Sequence, residues 1–115
     1  MLRKTTLMAA LAVSFLSTPG NAAEHIILIL PDAYFPDTSY VTAGDTLRFV
    51  NETEGSITVI SEDGGWSTGN LAVFEEASVG VSQDMTRSFY HEGVVDENGD
   101  PVVTGILKFG SAPLK

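Results

Sequence analysis

The chain contains no cysteine. That absence removes disulfides, thiolate metal sites and thiol catalysis together, so a small exported domain of this sequence has to be held by packing alone. Basic residues are scarce too: Lys and Arg total 6 against 15 Asp and Glu, a formal net charge of −9. Nucleic acid and anionic lipid surfaces are thereby disfavoured as partners. No convincing amphipathic helix is present either, and the mostly apolar run Leu7 to Leu16 would rise only about 15 Å as a helix, roughly half the thickness of a bilayer's hydrocarbon core.

What is present begins with a leader. Arg3 and Lys4 precede that apolar run, which gives way to Ser17, Thr18, Pro19, Gly20, Asn21 and Ala22. A charged start, an apolar centre and a small-residue end predict a secretory signal peptide over residues 1–22 and a single mature domain over 23–115. Cleavage after Ala22, or alternatively after Ala23, leaves Arg48, Arg87, Lys108 and Lys115 as the 4 basic side chains against all 15 acids, a net charge of −11. The expected location is the periplasm, with no membrane insertion after cleavage.

In the mature chain the hydrophobic period is two. His25 to Leu30 is an apolar run closed by Pro31, which predicts a strand covered on both faces. Ala43-Gly44-Asp45 makes a turn, after which Leu47 and Phe49 alternate with Arg48 and Val50 up to Asn51. Ile57 and Val59 repeat the alternation, and Glu62-Asp63-Gly64-Gly65 ends it. Trp66 to Gln83 reads as irregular, with room for a short helical turn. Met85 to His91 and Val102 to Phe109 read as the last two strands, joined across the turn-rich Asp96-Glu97-Asn98-Gly99-Asp100. The expected fold is all-β, an antiparallel sandwich of about six to eight short strands.

Three segments, in this order, carry a family resemblance. They are Ala23-Glu24-His25-Ile26; Phe35-Pro36 followed by Val41-Thr42-Ala43-Gly44-Asp45-Thr46-Leu47-Arg48-Phe49-Val50-Asn51; and Thr104-Gly105-Ile106-Leu107-Lys108-Phe109-Gly110. Together they resemble the cupredoxins, in particular the pseudoazurin and plastocyanin-like group. The resemblance implies a Greek-key sandwich that carries one copper ion for electron transfer in the periplasm.

A type 1 copper site needs two imidazoles, a thiolate and a weak axial thioether. The resemblance puts the first imidazole shortly after the Asn that ends a strand, where this chain has Ser56 and Ile57. It puts the other three ligands on the loop before the final Gly, where this chain offers Val95, Asn98 and Val103. Ile57, Val95, Asn98 and Val103 are thus degenerate former ligand positions, and Ile57 and Val103 are suited to fill the vacated space with apolar packing. No type 1 copper is expected. A different site is open to the mature N-terminus: in Ala23-Glu24-His25 the amine, two amides and the imidazole form a square of nitrogens that suits Cu(II). The competing reading has His25 simply capping the first strand.

Other candidates have bland readings beside them. His91 next to Glu92 has the makings of a base, but no nucleophile or second His stands at a useful spacing, and a hydrogen-bonded strand His is the simpler account. Asp96, Asn98 and Asp100 alternate like the start of a calcium loop, yet Pro101 and Leu107 occupy the positions that need Gly and Glu; only a loose surface site from Asp96, Glu97 and Asp100 is left open. Glu62, Asp63, Trp66, Glu75 and Glu76 are the candidate interaction surface for an unidentified, basic protein partner. Trp66 in Gly64-Gly65-Trp66 also has the makings of a ligand edge, extended by Tyr34, Phe35 and Phe74, although core packing is the plainer role. The function expected from these readings is non-enzymatic: a copper-free binding or protein-interaction module. The alternatives are copper(II) binding, buffering or delivery through Ala23, Glu24 and His25, and a residual electron-transfer role.

Overall fold

The computed structural model describes residues 22–111 and 113. Apart from Ala22, the expected leader lies outside the described residues. Among the described residues there are nine strands and no helix: β1 (Glu24–Leu30), β2 (Ala33–Phe35), β3 (Thr38–Val41), β4 (Thr46–Asn51), β5 (Ile57–Ser61), β6 (Ser67–Leu71), β7 (Glu76–Gly80), β8 (Ser88–His91) and β9 (Thr104–Phe109). They form two facing sheets, β2-β1-β4-β7 and β3-β9-β8-β5-β6. No helix among the described residues is long and apolar enough to cross a membrane.

The all-β sandwich agrees with the sequence reading, with three corrections. The sheets are mixed rather than antiparallel, since β1 runs parallel to β4 and β3 parallel to β9. Both parallel pairs arise because the chain leaves one sheet and returns to it before pairing, which a two-residue hairpin cannot do. The strand count exceeds six to eight because Trp66 to Gln83 is not irregular; it holds β6 and β7. β6 (Ser-Thr-Gly-Asn-Leu) has weak strand propensity and is made a strand by its pairing with β5, from Ile57↔Leu71 to Ile60↔Ser67. β7 turns Ala77 and Val79 inward against Phe49 and Leu47 of β4.

The third correction concerns β1. Ile27 and Ile29 are fully buried, but Ile26 is 46% exposed and Leu28 and Leu30 are half-buried. Only one face of β1 meets the opposing sheet, and its pairing with Phe35 of β2 through Leu28 leaves apolar side chains on the outer face.

Inward residues alternate along each central strand as period two requires: Leu47, Phe49 and Asn51 in β4, Val59 and Ser61 in β5, Phe89 and His91 in β8. The core they build is aromatic at its centre. Phe89 makes edge contacts with Tyr34 at 4.8 Å and Phe49 at 5.5 Å between ring centroids, and Trp66 lies 5.7 Å from it. Gly105 of β9 lies opposite Phe89, and a Cβ there would collide with Cε1 and Cζ of that ring. A side chain at 105 would therefore have to displace the core's central aromatic.

Asn51 closes the end of β4. It is fully buried, its Nδ2 donates to the carbonyls of Gly55, Leu71 and Ala72, and its Oδ1 accepts from the amide and hydroxyl of Thr53. Its backbone also holds the β6–β7 corner, donating to Glu75 and accepting from Phe74. Phe74 sits at φ 67°, a costly angle for a side chain of that size, and the Asn51 bonds fix it there.

Two predictions follow from these contacts. Gly105→Ala is expected to lower the urea unfolding free energy by about 1–3 kcal/mol, the usual cost of overpacking; an unchanged midpoint would refute the placement of Phe89. Asn51→Asp keeps the shape but removes the donors and buries a charge, so a loss of about 3 kcal/mol or more is expected from the same measurement.

Candidate functional site

The four positions to which the resemblance assigns copper ligands, Ile57, Val95, Asn98 and Val103, do not converge. Val103, 4% exposed, belongs to the core, and Ile57 packs against it from the start of β5. Val95 is 46% exposed in an isolated bridge with Pro101, and Asn98 is exposed at the hairpin tip. The loop between β8 and β9 folds as an outward hairpin. Asp96 and Asp100 join through their backbones, and Oδ1 of Asp96 accepts from the amides of Asn98 and Asp100. The carboxylate of Asp96 is thus spent on turning the chain. Among the described residues no three His, Asp or Glu side chains gather as a metal site, so Asp96, Glu97 and Asp100 are not brought together as one. Type 1 copper does not fit these residues: no thiolate exists in the sequence, and apolar side chains hold three of the four places, Ile57, Val95 and Val103.

His91 lies beside this region, paired with Val59 of β5 and donating its backbone amide to Val103. Its side chain is buried, 1% exposed. Nε2 lies 2.9 Å from the carbonyl oxygen of Leu30, which can only accept, so Nε2 carries the proton. Nδ1 is then left to accept the hydroxyl of Tyr34 at 2.6 Å. Burial pushes the imidazole below its ordinary value of 6.5 and the Tyr34 phenol well above its own. Both ring nitrogens are occupied within the core, an arrangement that fixes a neutral tautomer and ties β8 to the end of β1. Nothing in it activates a nucleophile.

At the opposite end of β1, Asp45 is the collecting point, and the sequence reading had treated it only as a turn residue. It is 4% exposed and accepts from the Ala23 amide at 3.0 Å, the Thr42 amide at 2.9 Å and Nε2 of His25 at 2.8 Å. The His25 bond is the first cause, ahead of the Ala23 amide, of a carboxyl held below its ordinary value. Asp45 could have been found from the Thr42-Ala43-Gly44-Asp45 turn, because an Asp at the end of such a turn commonly bonds backward to the chain. Glu24 is exposed and pairs with Arg48 at 3.6 Å.

The proposed interaction residues fall into two groups. Glu62 and Asp63 occupy the β5–β6 turn, whereas Glu75 sits in the β6–β7 corner and Glu76 opens β7. β6, 5 residues long, separates them by roughly 16 Å. Glu75 accepts from the Ala72 amide and Glu76 faces Arg48 at 3.3 Å, so that pair has structural partners. Trp66 packs against Phe49 and Phe89 and donates its indole N–H to the carbonyl of Thr86 at 2.9 Å. Its remaining surface lines a cavity of about 250 Å³ together with Asp63, Asp84, Met85, Ser82 and Thr86. Tyr34 is buried, so it extends no edge; Phe35 and Phe74 are 65% and 69% exposed.

A scan against protein-family models finds no match, and a search of curated proteins finds none. Solved structures do match. A reduced Cu(I) form of an amicyanin variant is 14% identical over 83% of this chain and 88% of its own, with a TM-score of 0.59. Amicyanin from Paracoccus versutus is 12% identical over 83% of this chain and 87% of its own, with a TM-score of 0.58. A copper-containing nitrite reductase from Thermus scotoductus is 16% identical over 78% of this chain but only 23% of its own, with a TM-score of 0.59. At these identities the likeness establishes architecture: the chain has the cupredoxin fold.

Burial of His91 gives a pH dependence. The fold holds the imidazole neutral, whereas the unfolded chain takes up a proton once the pH falls through about 6.5, so the unfolded state binds more protons in mild acid. Stability tied to His91 is therefore fully present above pH 6.5 and declines below it. Urea midpoints between pH 8 and 5 are expected to fall less steeply for His91→Gln, which keeps an N–H donor without the titration. Identical slopes would refute the burial argument.

Proposed function

We propose that this protein is an exported, periplasmic domain that has kept the cupredoxin scaffold without type 1 copper and works as a non-enzymatic binding module for a basic protein partner. The observation that carries the reading is the fate of the four ligand positions: Ile57 and Val103 are apolar packing, and Val95 and Asn98 have left for solvent. Such a site cannot be restored by a rotamer change, because the hairpin at 92–103 is closed by its own backbone and by Asp96. The non-enzymatic part of the reading is supported by His91, whose two nitrogens are engaged within the core. Export rests on the leader-like residues 1–22, and the choice of a basic partner on a mature net charge of −11, from 4 basic and 15 acidic side chains.

Copper handling at the N-terminus is the second reading, and one observation bears on it directly. Ala23 N and the His25 ring meet at the same carboxylate, that of Asp45. The first and third residues of the nitrogen set are thus held close together, and His25 uses Nε2 for Asp45. Nδ1 is the nitrogen that reaches back toward the backbone amides in a square-planar chelate. Copper at this site would compete with Asp45 for the amino group.

The discriminating experiment is a Cu(II) titration of the exported, processed protein, with its N-terminus fixed by intact mass and followed by visible absorption and electron paramagnetic resonance. No stoichiometric binding is expected for the binding module. One equivalent bound with a four-nitrogen signature and abolished by His25→Ala would replace that reading with copper handling.

A further inference from the structure

We propose that the cavity walled by Trp66, Met85, Asp63 and Asp84 binds an alkylammonium or guanidinium group carried on an aliphatic stem. This is the chemistry of a lysine or arginine side chain, or of a free amine. The proposal rests on the binding-module reading and deepens it by naming where a basic partner is gripped.

Size comes first. About 250 Å³ amounts to roughly eight waters, below the usual range for a nucleotide or organic cofactor and enough for one long side chain. The walls then select the ligand. The Trp66 ring that lines the cavity is immobilised by its bond to the Thr86 carbonyl and its packing on Phe49 and Phe89, so it offers aromatic surface without an ordering cost. Met85 adds a polarisable apolar surface suited to methylene groups.

The charges decide the sign. Asp63 accepts from the Ser61 hydroxyl at 2.9 Å and the Gly65 amide at 2.8 Å, both at Oδ1, and Asp84 accepts from the Ser82 hydroxyl at 3.0 Å, also at Oδ1. Hydrogen bonds from the Thr86 side chain, Gly65 and Ser61 hold the Asp63 carboxyl below its ordinary value, so it is ionised at neutral pH. Among the described residues neither aspartate belongs to an ion pair; those pairs involve Asp45, Glu24 and Glu76. The adjacent cation, Arg87, is directed elsewhere, with its guanidinium 4.1 Å above the Phe109 ring and bonded to the Gln83 carbonyl. Two uncompensated carboxylates in a cleft concentrate negative potential there and repel anions. A bare divalent ion is a poor occupant, since no group of three carboxylates or imidazoles forms among the described residues.

Trp66 is the only tryptophan, so tryptophan fluorescence comes from a wall of this cavity. Purified processed protein would be titrated at constant ionic strength with butylammonium, N-acetyl-lysine methylamide, a tetralysine peptide and, as the uncharged probe, butanol. Saturable changes are expected with the cationic probes and not with butanol. Asp63→Asn with Asp84→Asn keeps both Oδ1 acceptors and is expected to weaken binding about tenfold or more. Glu54→Gln with Glu97→Gln, an equal change of net charge at exposed positions away from the cavity, is expected to leave it unchanged. Should the double aspartate variant unfold, the single Asp84→Asn supplies the same comparison, expected to show a smaller loss in the same direction.

Equal affinity for butylammonium and the lysine amide would assign a free amine; tighter binding of tetralysine would assign a partner's side chain. The proposal is overturned if no cationic probe saturates, if butanol acts equally, or if the Glu54 and Glu97 control loses as much as the Asp63 and Asp84 variant. None of these failures touches the copper titration, which reads out at His25, so the two conclusions can fall separately.

Discussion

Phe89 is the contact on which this sandwich depends. It projects from β8 into the space between the sheets, where its ring meets Tyr34 of β2 and Phe49 of β4 edge-on and Trp66 at a tilt. Without disulfides, two sheets can be locked in one relative position only by interdigitated side chains, and large rings supply the most area with the fewest rotatable bonds. The placement has consequences around it. Gly105 lacks a side chain because the ring fills that volume. Trp66, pressed from the core side and pinned by Thr86, can turn its remaining surface toward the cavity.

Two buried polar residues bound this aromatic cluster, and both are satisfied. Asn51 joins the end of β4 to the β6–β7 corner, and His91 joins β8 to Tyr34 and Leu30. Buried polar groups left unpaired cost more than their bonds return, so each specifies one geometry: any slip of β4 or β8 strands several donors and acceptors at once. In a domain without disulfides, these networks provide a directional constraint that apolar packing alone does not supply.

Much of the fold was legible in the sequence, because alternation fails to mislead where side chains are large. Leu47, Phe49, Val59 and Phe89 all face inward as their period requires. Legibility was lost where strand identity comes from the partner strand. In β6, Ser67 to Asn70 have no inward apolar residue to mark a period, and only Leu71 is buried. The apolar run of β1 misled in the opposite sense, since composition alone cannot distinguish a strand with two covered faces from one whose outer face, at Ile26 and Leu28, is left partly open. That no thiolate ligand is available was readable from the absence of cysteine, and the apolar packing of Ile57 and Val103 from their side-chain types. That Glu62 and Asp63 lie a strand's length from Glu75 and Glu76 was not readable, because the direction of β6 had first to be known. Nor was the grouping of Asp84 and Met85 with Trp66, which comes from distant parts of the chain meeting across the sheets.

The β8–β9 loop carries its own support. A loop that supplies metal ligands has its backbone disciplined from inside, by bonds that pull it toward the core. Here the same segment is disciplined from within itself: Val94 and Val102, Val95 and Pro101, and Asp96 and Asp100 pair across an outward hairpin, with Gly99 at φ 87° making the reversal. Residues from Glu92 to Val102 are consequently all exposed, and the core beneath is closed by Val103 and His91. This end of the sandwich is a self-supporting rim over a sealed interior. Any recognition by this domain then has to use its surfaces, and the surface that combines a fixed aromatic ring, a concavity and uncompensated charge is the one beside Trp66, built on the same aromatic cluster that holds the two sheets together.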